Sequence, residues 1–129
     1  MQNFRLLKAL CQSGKPVSLK RGPAARVDDL LLAADCAPFA FADFHQRFLA
    51  GKALAIACPK LDQGQEVYLQ KLVAMIDETG INTLTVMVME VPCCHGLVKL
   101  VQAALDASGK DLQPALTRVG IRGDTQAAS

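Results

Sequence analysis

Cys36, Cys58, Cys93 and Cys94 are the residues of this chain best suited to chemistry, because each follows an apolar run and offers a soft, ionisable sulfur. Ala53-Leu54-Ala55-Ile56-Ala57 ends in Cys58-Pro59, and Leu30-Leu31-Leu32-Ala33-Ala34-Asp35 ends in Cys36. Residues 82–90 end in Val91-Pro92-Cys93-Cys94-His95-Gly96. Short apolar runs of this kind read as strands, and the segments behind them have helical spacing. In an open sheet of parallel strands all such ends lie on one edge, where binding and catalytic sites are built. Thiols far apart in sequence therefore converge on one pocket in this reading.

Thiolate and imidazole are the ligands zinc prefers, four in a closed structural site and three plus water in a catalytic one. Cys58 and Cys93, with Cys36, Cys94 or the nitrogen donor His45 completing the shell, form the candidate zinc set. The spacing is not that of paired Cys-x-x-Cys knuckles. Side chains of the adjacent Cys93 and Cys94 diverge on most backbones, which makes one of the two a supporting thiol. An iron–sulfur cluster is the alternative cofactor for the same sulfurs, without the close Cys-x-x-Cys-x-x-Cys run of small ferredoxins. His45 lies on a Phe-rich segment, where packing and ligation are equally open roles.

Glu90 and His95 are the candidates for moving a proton. Glu90 is read as a general base, a metal ligand or a cap for the following helix. His95 stands at a helix start, whose positive dipole end favours the neutral ring. Lys60 and Asp62, close behind Cys58, read as an ion pair bordering the pocket or as two solvated charges. Cys11 lies on an apolar helical stripe and reads as a small core hydrophobe.

The elements that must position these groups alternate between strand-like and helix-like patterns from about Val27 onward, which is the signature of βα units and a parallel sheet. Strand 29–34 is followed by a helix near 42–50, with Asp43 as its cap, Gly51 as its stop, and Phe44, Phe48 and Leu49 as its apolar face. Strand 53–58 is followed by helix 65–79, where Leu69, Leu72, Val73 and Ile76 repeat at i, i+3, i+4 and i+7 before Gly80. Strand 82–90 is followed by helix 95–108, striped by Leu97, Leu100, Val101, Ala104 and Leu105 and closed by Ser108-Gly109. Residues 115–122 read as a last short strand and 124–129 as a frayed tail. Before all of these, residues 3–12 have the spacing of a short amphipathic helix that Ser13-Gly14-Lys15-Pro16 stops.

At 129 residues and 51% apolar content the chain suits one domain with one core. Its apolar runs fall well short of the ~20 residues that cross a bilayer. The first residues lack the apolar stretch of a secretory signal, so a cytoplasmic location with reduced thiols is expected. The net charge of +2 hides an asymmetry. Of the 14 basic side chains, Arg5, Lys8, Lys15, Lys20, Arg21 and Arg26 precede every acidic one. The remaining eight face all 12 acidic side chains, so the folded body carries no nucleic-acid footprint. The basic arm reads as a solvated segment, as a dock for an acidic protein partner or as a nucleic-acid contact.

Ala34-Asp35-Cys36, Phe39-Ala40, Asp43-Phe44-His45, Gly51-Lys52, Cys58-Pro59-Lys60-Leu61-Asp62 and Met89-Glu90-Val91-Pro92-Cys93-Cys94 with Gly96-Leu97-Val98 together carry a resemblance. The stretch 27–124 is similar to the C-terminal domain of bacterial and archaeal iron–sulfur oxidoreductase-type proteins, which usually have a ferredoxin-like domain in front. The resemblance implies an accessory role beside a ferredoxin-type or other iron–sulfur partner. Only Cys11 precedes residue 27, so the ferredoxin cysteine cluster has no counterpart there. At fold level the chain also resembles β-class carbonic anhydrases, with Cys58 and Cys93 at their two zinc cysteines. Glu90 stands where that family has histidine, and Lys60 and Asp62 reverse its Asp and Arg. Added negative charge keeps a metal-bound water's pKa high, so weak or absent carbon dioxide hydration is expected.

The expected fold is α/β, a three-layer, mostly parallel open sheet of four or more strands with helices on both faces. Residues 1–26 form a basic arm with a short helix, 27–124 the metal-binding domain and 125–129 a tail. The expected function is a thiolate-rich zinc domain, accessory to iron–sulfur redox proteins. Two alternatives stand beside it: a metal or thiol enzyme acting on a small electrophile through Glu90 or His95, and a non-catalytic module for an acidic redox partner. The oligomeric state is open, a homo-oligomer included.

Overall fold

Continuous apolar runs belong in a sheet covered on both faces, and that is where the chain puts them. The computed structural model of the protein describes residues 26–128. Cys11 and the short helix over 3–12 lie outside the described residues. Strands β1 (Arg26–Ala34), β2 (Lys52–Ala57), β3 (Thr83–Met89), β4 (Ala115–Val119) and β5 (Thr125–Ala128) form one sheet in the order β2-β1-β3-β4-β5. The β1–β2, β1–β3 and β3–β4 pairs are parallel, and β4–β5 is antiparallel. Central β1 and β3 are buried over Leu30–Ala34 and Leu84–Met89. On edge strand β2, only Ala57 is buried.

The helices are α1 (Ala37–Ala40), the wide π-type turn α2 (Phe44–Leu49), α3 (Gln65–Glu78) and α4 (His95–Ser108). Parallel neighbours require crossovers, and these are right-handed, so the direction of each crossover fixes its face. The β1-to-β2 connection runs one way across the sheet and carries α1 and α2 to one face. The β2-to-β3 and β3-to-β4 connections run the other way, and α3 and α4 pack against each other on the second face. The apolar stripes behave as their spacing predicts: Leu72 and Ile76 of α3 are buried, as are Leu97, Val101, Ala104 and Leu105 of α4. Thr85, buried in β3, accepts a hydrogen bond from Lys52 Nζ at 3.3 Å, so its hydroxyl is not left unpaired. No helix among the described residues is long and apolar enough to cross a membrane.

Two expectations need correction. The helix read near 42–50 is the π-type turn Phe44–Leu49, preceded by the separate α1, and Asp43 precedes α2 without a side-chain capping bond. Pro38 sits in the first turn of α1, and the chain turns extended at Phe41, so no single helix bridges β1 and β2. The tail from Asp124 is not frayed: Thr125–Ala128 is the edge strand β5, paired with β4 from Val119↔Thr125 to Leu116↔Ala128. An edge strand of Thr, Gln and Ala has no apolar alternation to announce it, because backbone bonds to one neighbour hold it. The turn that makes this pairing local is closed by Gly120 N–H to Asp124 O at 2.9 Å and Gly123 N–H to Gly120 O at 3.0 Å. Gly123 has φ +83°, and a Cβ there would sit 2.9 Å from the Ala40 carbonyl oxygen, so the turn packs directly on α1.

Leu97 is 0% exposed under the sheet. Leu97→Ala is expected to cost about 2–5 kcal/mol of unfolding free energy in a urea titration. Phe39→Ala, at a side chain 93% exposed, should stay within about 0.5 kcal/mol of the parent.

Candidate functional site

The connection leaving β1 and the connection leaving β3 go to opposite sides of the sheet, so the chain parts between these adjacent strand ends and leaves a crevice. Cys36 stands at the end of β1 as the residue preceding α1, and its carbonyl accepts from Phe39 N–H and Ala40 N–H at 3.2 Å each. Across the crevice, Pro92–Cys94 forms a 3₁₀ turn that runs straight into α4. Pro92 cannot donate to a continuing strand, and Cys94 N–H bonds the Val91 carbonyl at 3.1 Å to close the turn. This turn exposes Cys93 and buries Cys94, which is the divergence that adjacent side chains require.

Cys94 senses both of the other crevice thiols. Burial pushes its thiol up to about 11; a backbone hydrogen bond with Met89 opposes that rise, while Cys36 and Cys93 add to it by like-charge repulsion. Cys36, Cys93 and Cys94 thus occupy one electrostatic neighbourhood, drawn from two strand ends. All four cysteines described are free thiols. Among the described residues, no group of three or more His, Cys, Asp or Glu side chains is gathered tightly enough to hold a metal ion as it stands.

Cys58 is half-buried at the end of β2, in a turn held by one carboxylate. Its backbone N–H donates to Asp62 Oδ2 at 2.7 Å, and its carbonyl accepts from Leu61 N–H at 3.1 Å and Asp62 N–H at 2.8 Å. Asp62 is therefore occupied with the turn and with the Tyr68 hydroxyl, and Lys60 is exposed without an ion pair among the described residues. The turn leans on α4: a Cβ at Gly96 would sit 2.8 Å from Pro59 Cβ. Glu90 does not cap α4. Its Oε1 accepts from Ile121 N–H at 3.0 Å and ties the end of β3 to the β4–β5 turn. His95 is the exposed first residue of α4, and His45 is exposed on α2 with its ring edge-on to Phe44 at 5.4 Å.

A Rossmann-like domain family model matches residues 22–128, which includes the whole of the described fold. The chain belongs to that family. An uncharacterised protein of Archaeoglobus fulgidus is 32% identical over 93 residues, which is 72% of this chain and 64% of that protein. The chain thus spans less than two thirds of that relative's length. No solved structure matches. Membership in the Rossmann-like domain family fixes the sheet and its crevice and leaves the chemistry to the residues. Dinucleotide-binding members of such folds place glycines in the first strand-to-helix turn so that backbone can approach a pyrophosphate. This chain has no glycine between Gly22 and Gly51, and Cys36-Ala37-Pro38 fills that turn, so its residues do not fit that cofactor.

Sequence reasoning placed the thiols of this Rossmann-like domain but missed a second cluster beside them. Asp35, whose N–H reaches the Ala57 carbonyl at 3.3 Å, has its carboxyl raised by burial and then by the charge of Asp62. Tyr68 on α3 has its phenol raised by burial first, then by its hydrogen bond to Asp62 and the charges of Asp62 and Asp35. The only sequence signal was the pair of Asp residues beside Cys36 and Cys58. Tyr68 is the one tyrosine in a chain without tryptophan, so alkaline absorbance titration reads it alone. Its phenol should ionise above the ordinary tyrosine range, and in Asp62→Asn the midpoint should fall toward that range. Gly96→Ala should cost about 1–3 kcal/mol in chemical denaturation, because the added methyl must push the rigid Pro59 ring and the Cys58 turn away from α4.

Proposed function

We propose that this protein is a thiol-based metal-binding domain that takes zinc at the crevice between β1 and β3. The observation that carries this reading is the shared neighbourhood of Cys36, Cys93 and Cys94, brought together from two strand ends. Three sulfurs suit a soft or borderline cation better than a hard one. Cys94 is a protonated thiol at neutral pH while no cation offsets its burial, and a bound cation would supply that compensation. Cys58, at the neighbouring strand end, and His45 are the candidates for the remaining position. Since the donors are near one another without forming a finished cage, binding must draw the Pro92–Cys94 turn and the start of α1 together. Part of the binding free energy is spent on that ordering.

The accessory role beside an iron–sulfur redox protein is the biological setting we propose, on the residues that resemble the domain found behind ferredoxin-like domains. An exposed pair of thiols, Cys36 and Cys93, at an open edge is accessible to such a partner. When bound, zinc would supply thiolate stabilisation and Lewis acidity; the chain's own residues hold the position. Asp62 fixes the Cys58 turn, Glu90 fixes the β4–β5 turn, and Pro92 forces the strand to end where the thiols begin.

Elemental analysis of the purified protein should find about one zinc per chain, and the visible spectrum should lack the charge-transfer bands of an iron–sulfur cluster. Cys36→Ser and Cys93→Ser should each reduce zinc to well below stoichiometric, Cys58→Ser likewise if β2 contributes the fourth ligand, and Cys11→Ser should leave it unchanged. Full zinc retention in the Cys93→Ser protein would remove the proposal, and cluster bands with stoichiometric iron would replace zinc by the alternative cofactor.

A further inference from the structure

A doubly wound sheet normally covers each parallel strand with the helix that follows it, but β4 is followed by a hairpin turn and β5. The face of β4 and β5 beside α4 therefore has no helix over it among the described residues. An open groove of about 450 Å³ results, within the size range of small-molecule sites. Its floor is apolar, made by Val88 of β3, Leu116 of β4 and Val98 of α4. Val88 pairs with Arg118 across β3–β4, and Arg118 pairs with Gln126 across β4–β5, so the register sets these three side by side on the groove face. Glu90, two residues beyond Val88, lines the strand end of the groove, and the segment after it carries the lining on through Cys94 and His95 at the start of α4.

The charges in this groove are opposite and unpaired. Arg118 and Gln126 make no ion pair or side-chain hydrogen bond among the described residues, and Glu90 engages only the Ile121 N–H. Glu90 and Arg118 therefore stand farther apart than the 4.0 Å of an ion pair, both facing one apolar floor. A guanidinium recognises carboxylate through its planar fork, and the Glu90 carboxylate has an oxygen left for an ammonium. A simple fatty acid would leave Glu90 opposed to its own charge, and a simple amine would do the same at Arg118. A zwitterion with an aliphatic body satisfies both charges and the floor at once.

We propose that this groove binds a free aliphatic α-amino acid, its carboxylate on Arg118, its ammonium on Glu90 and its side chain over Val88, Val98 and Leu116. Gln126 offers a further amide donor to the carboxylate. The site lies on the α4 face and borders the thiol crevice through Cys94, while the groups that bind the two charges, Arg118 and Glu90, are not thiols of the crevice. Occupancy is read by titrating methyl-labelled protein and following the resonances of Val88, Val98 and Leu116. The probes are L-leucine, 4-methylpentanoate, which lacks the ammonium, and 3-methylbutylamine, which lacks the carboxylate. L-Leucine should give saturable shifts confined to the groove, and each truncated probe should bind at least about tenfold more weakly. Arg118→Gln and Glu90→Gln should each weaken L-leucine by about tenfold or more, with spectra away from the groove unchanged. Glu90→Gln keeps an oxygen for the Ile121 N–H and so preserves the hairpin. Cys36→Ser should bind L-leucine as the parent does, whatever its zinc content. The proposal is overturned if no saturable shift occurs, if the shifts lie elsewhere, if a truncated probe binds as tightly as L-leucine, or if either charge variant binds unchanged.

Discussion

Everything this protein places at its working edge depends on β1 being paired in parallel on both sides while the connections of β1 and β3 leave in opposite directions. Parallel pairing aligns the strand ends, and the divergence of the connections stops the following segments from packing over the gap between β1 and β3. The interior supports this arrangement by burying Leu30–Ala34 of β1 and Leu84–Met89 of β3. A one-residue slip of β1 would turn Leu30, Leu32 and Ala34 to the wrong face and move Cys36 along the edge. The crevice is thus as precisely positioned as the core beneath it.

At that edge the three thiol-bearing turns differ in how firmly they are held. The Cys58 turn has a carboxylate closing it, a phenol closing the carboxylate, and Pro59 seated against Gly96. The Pro92–Cys94 turn continues into a four-turn helix, so the position of Cys94 follows that of α4. Cys36 precedes a helix of only one turn, supported by the Gly123 turn packed on Ala40. The thiol on the shortest helix therefore faces the most buried one across the crevice. A metal site of the kind proposed would close by moving that side, at a cost in affinity that a preformed cage does not incur.

The fold was legible because the chain is locally consistent: Leu69, Leu72, Val73 and Ile76 can only be one helix face, and helix 95–108 runs between the residues its spacing and Gly109 indicate. The site was legible in its cysteines, since a proline beside Cys58 and before Cys93 marks where a strand must stop. Its supporting groups were less so. Asp62 reads as half of an ion pair or as a solvated charge until its bond to the Cys58 N–H is seen, and Glu90 reads as a base, a ligand or a helix cap until β5 exists to bring Ile121 over it. β5 is itself unreadable from side chains, because Thr125 to Ala128 have no pattern and their pairing is a backbone matter. The partner of Glu90 is supplied by tertiary pairing, whereas that of Asp62 is a backbone group of its own turn, four residues away.

Replacing a fourth crossover helix by a hairpin then shapes the rest of the edge. A helix after β4 would have covered Val88, Leu116 and Arg118 and buried a guanidinium that has no partner, which is costly enough to be excluded in a small domain. The hairpin leaves that charge in a solvated groove and at the same time delivers Ile121 to Glu90 and Gly123 to Ala40. One five-residue turn therefore both opens the α4-side groove and buttresses the thiol side of the crevice. The segment Glu90 to Cys94 lies between the two, with Glu90 and Cys94 lining the groove and Cys93 exposed at the crevice.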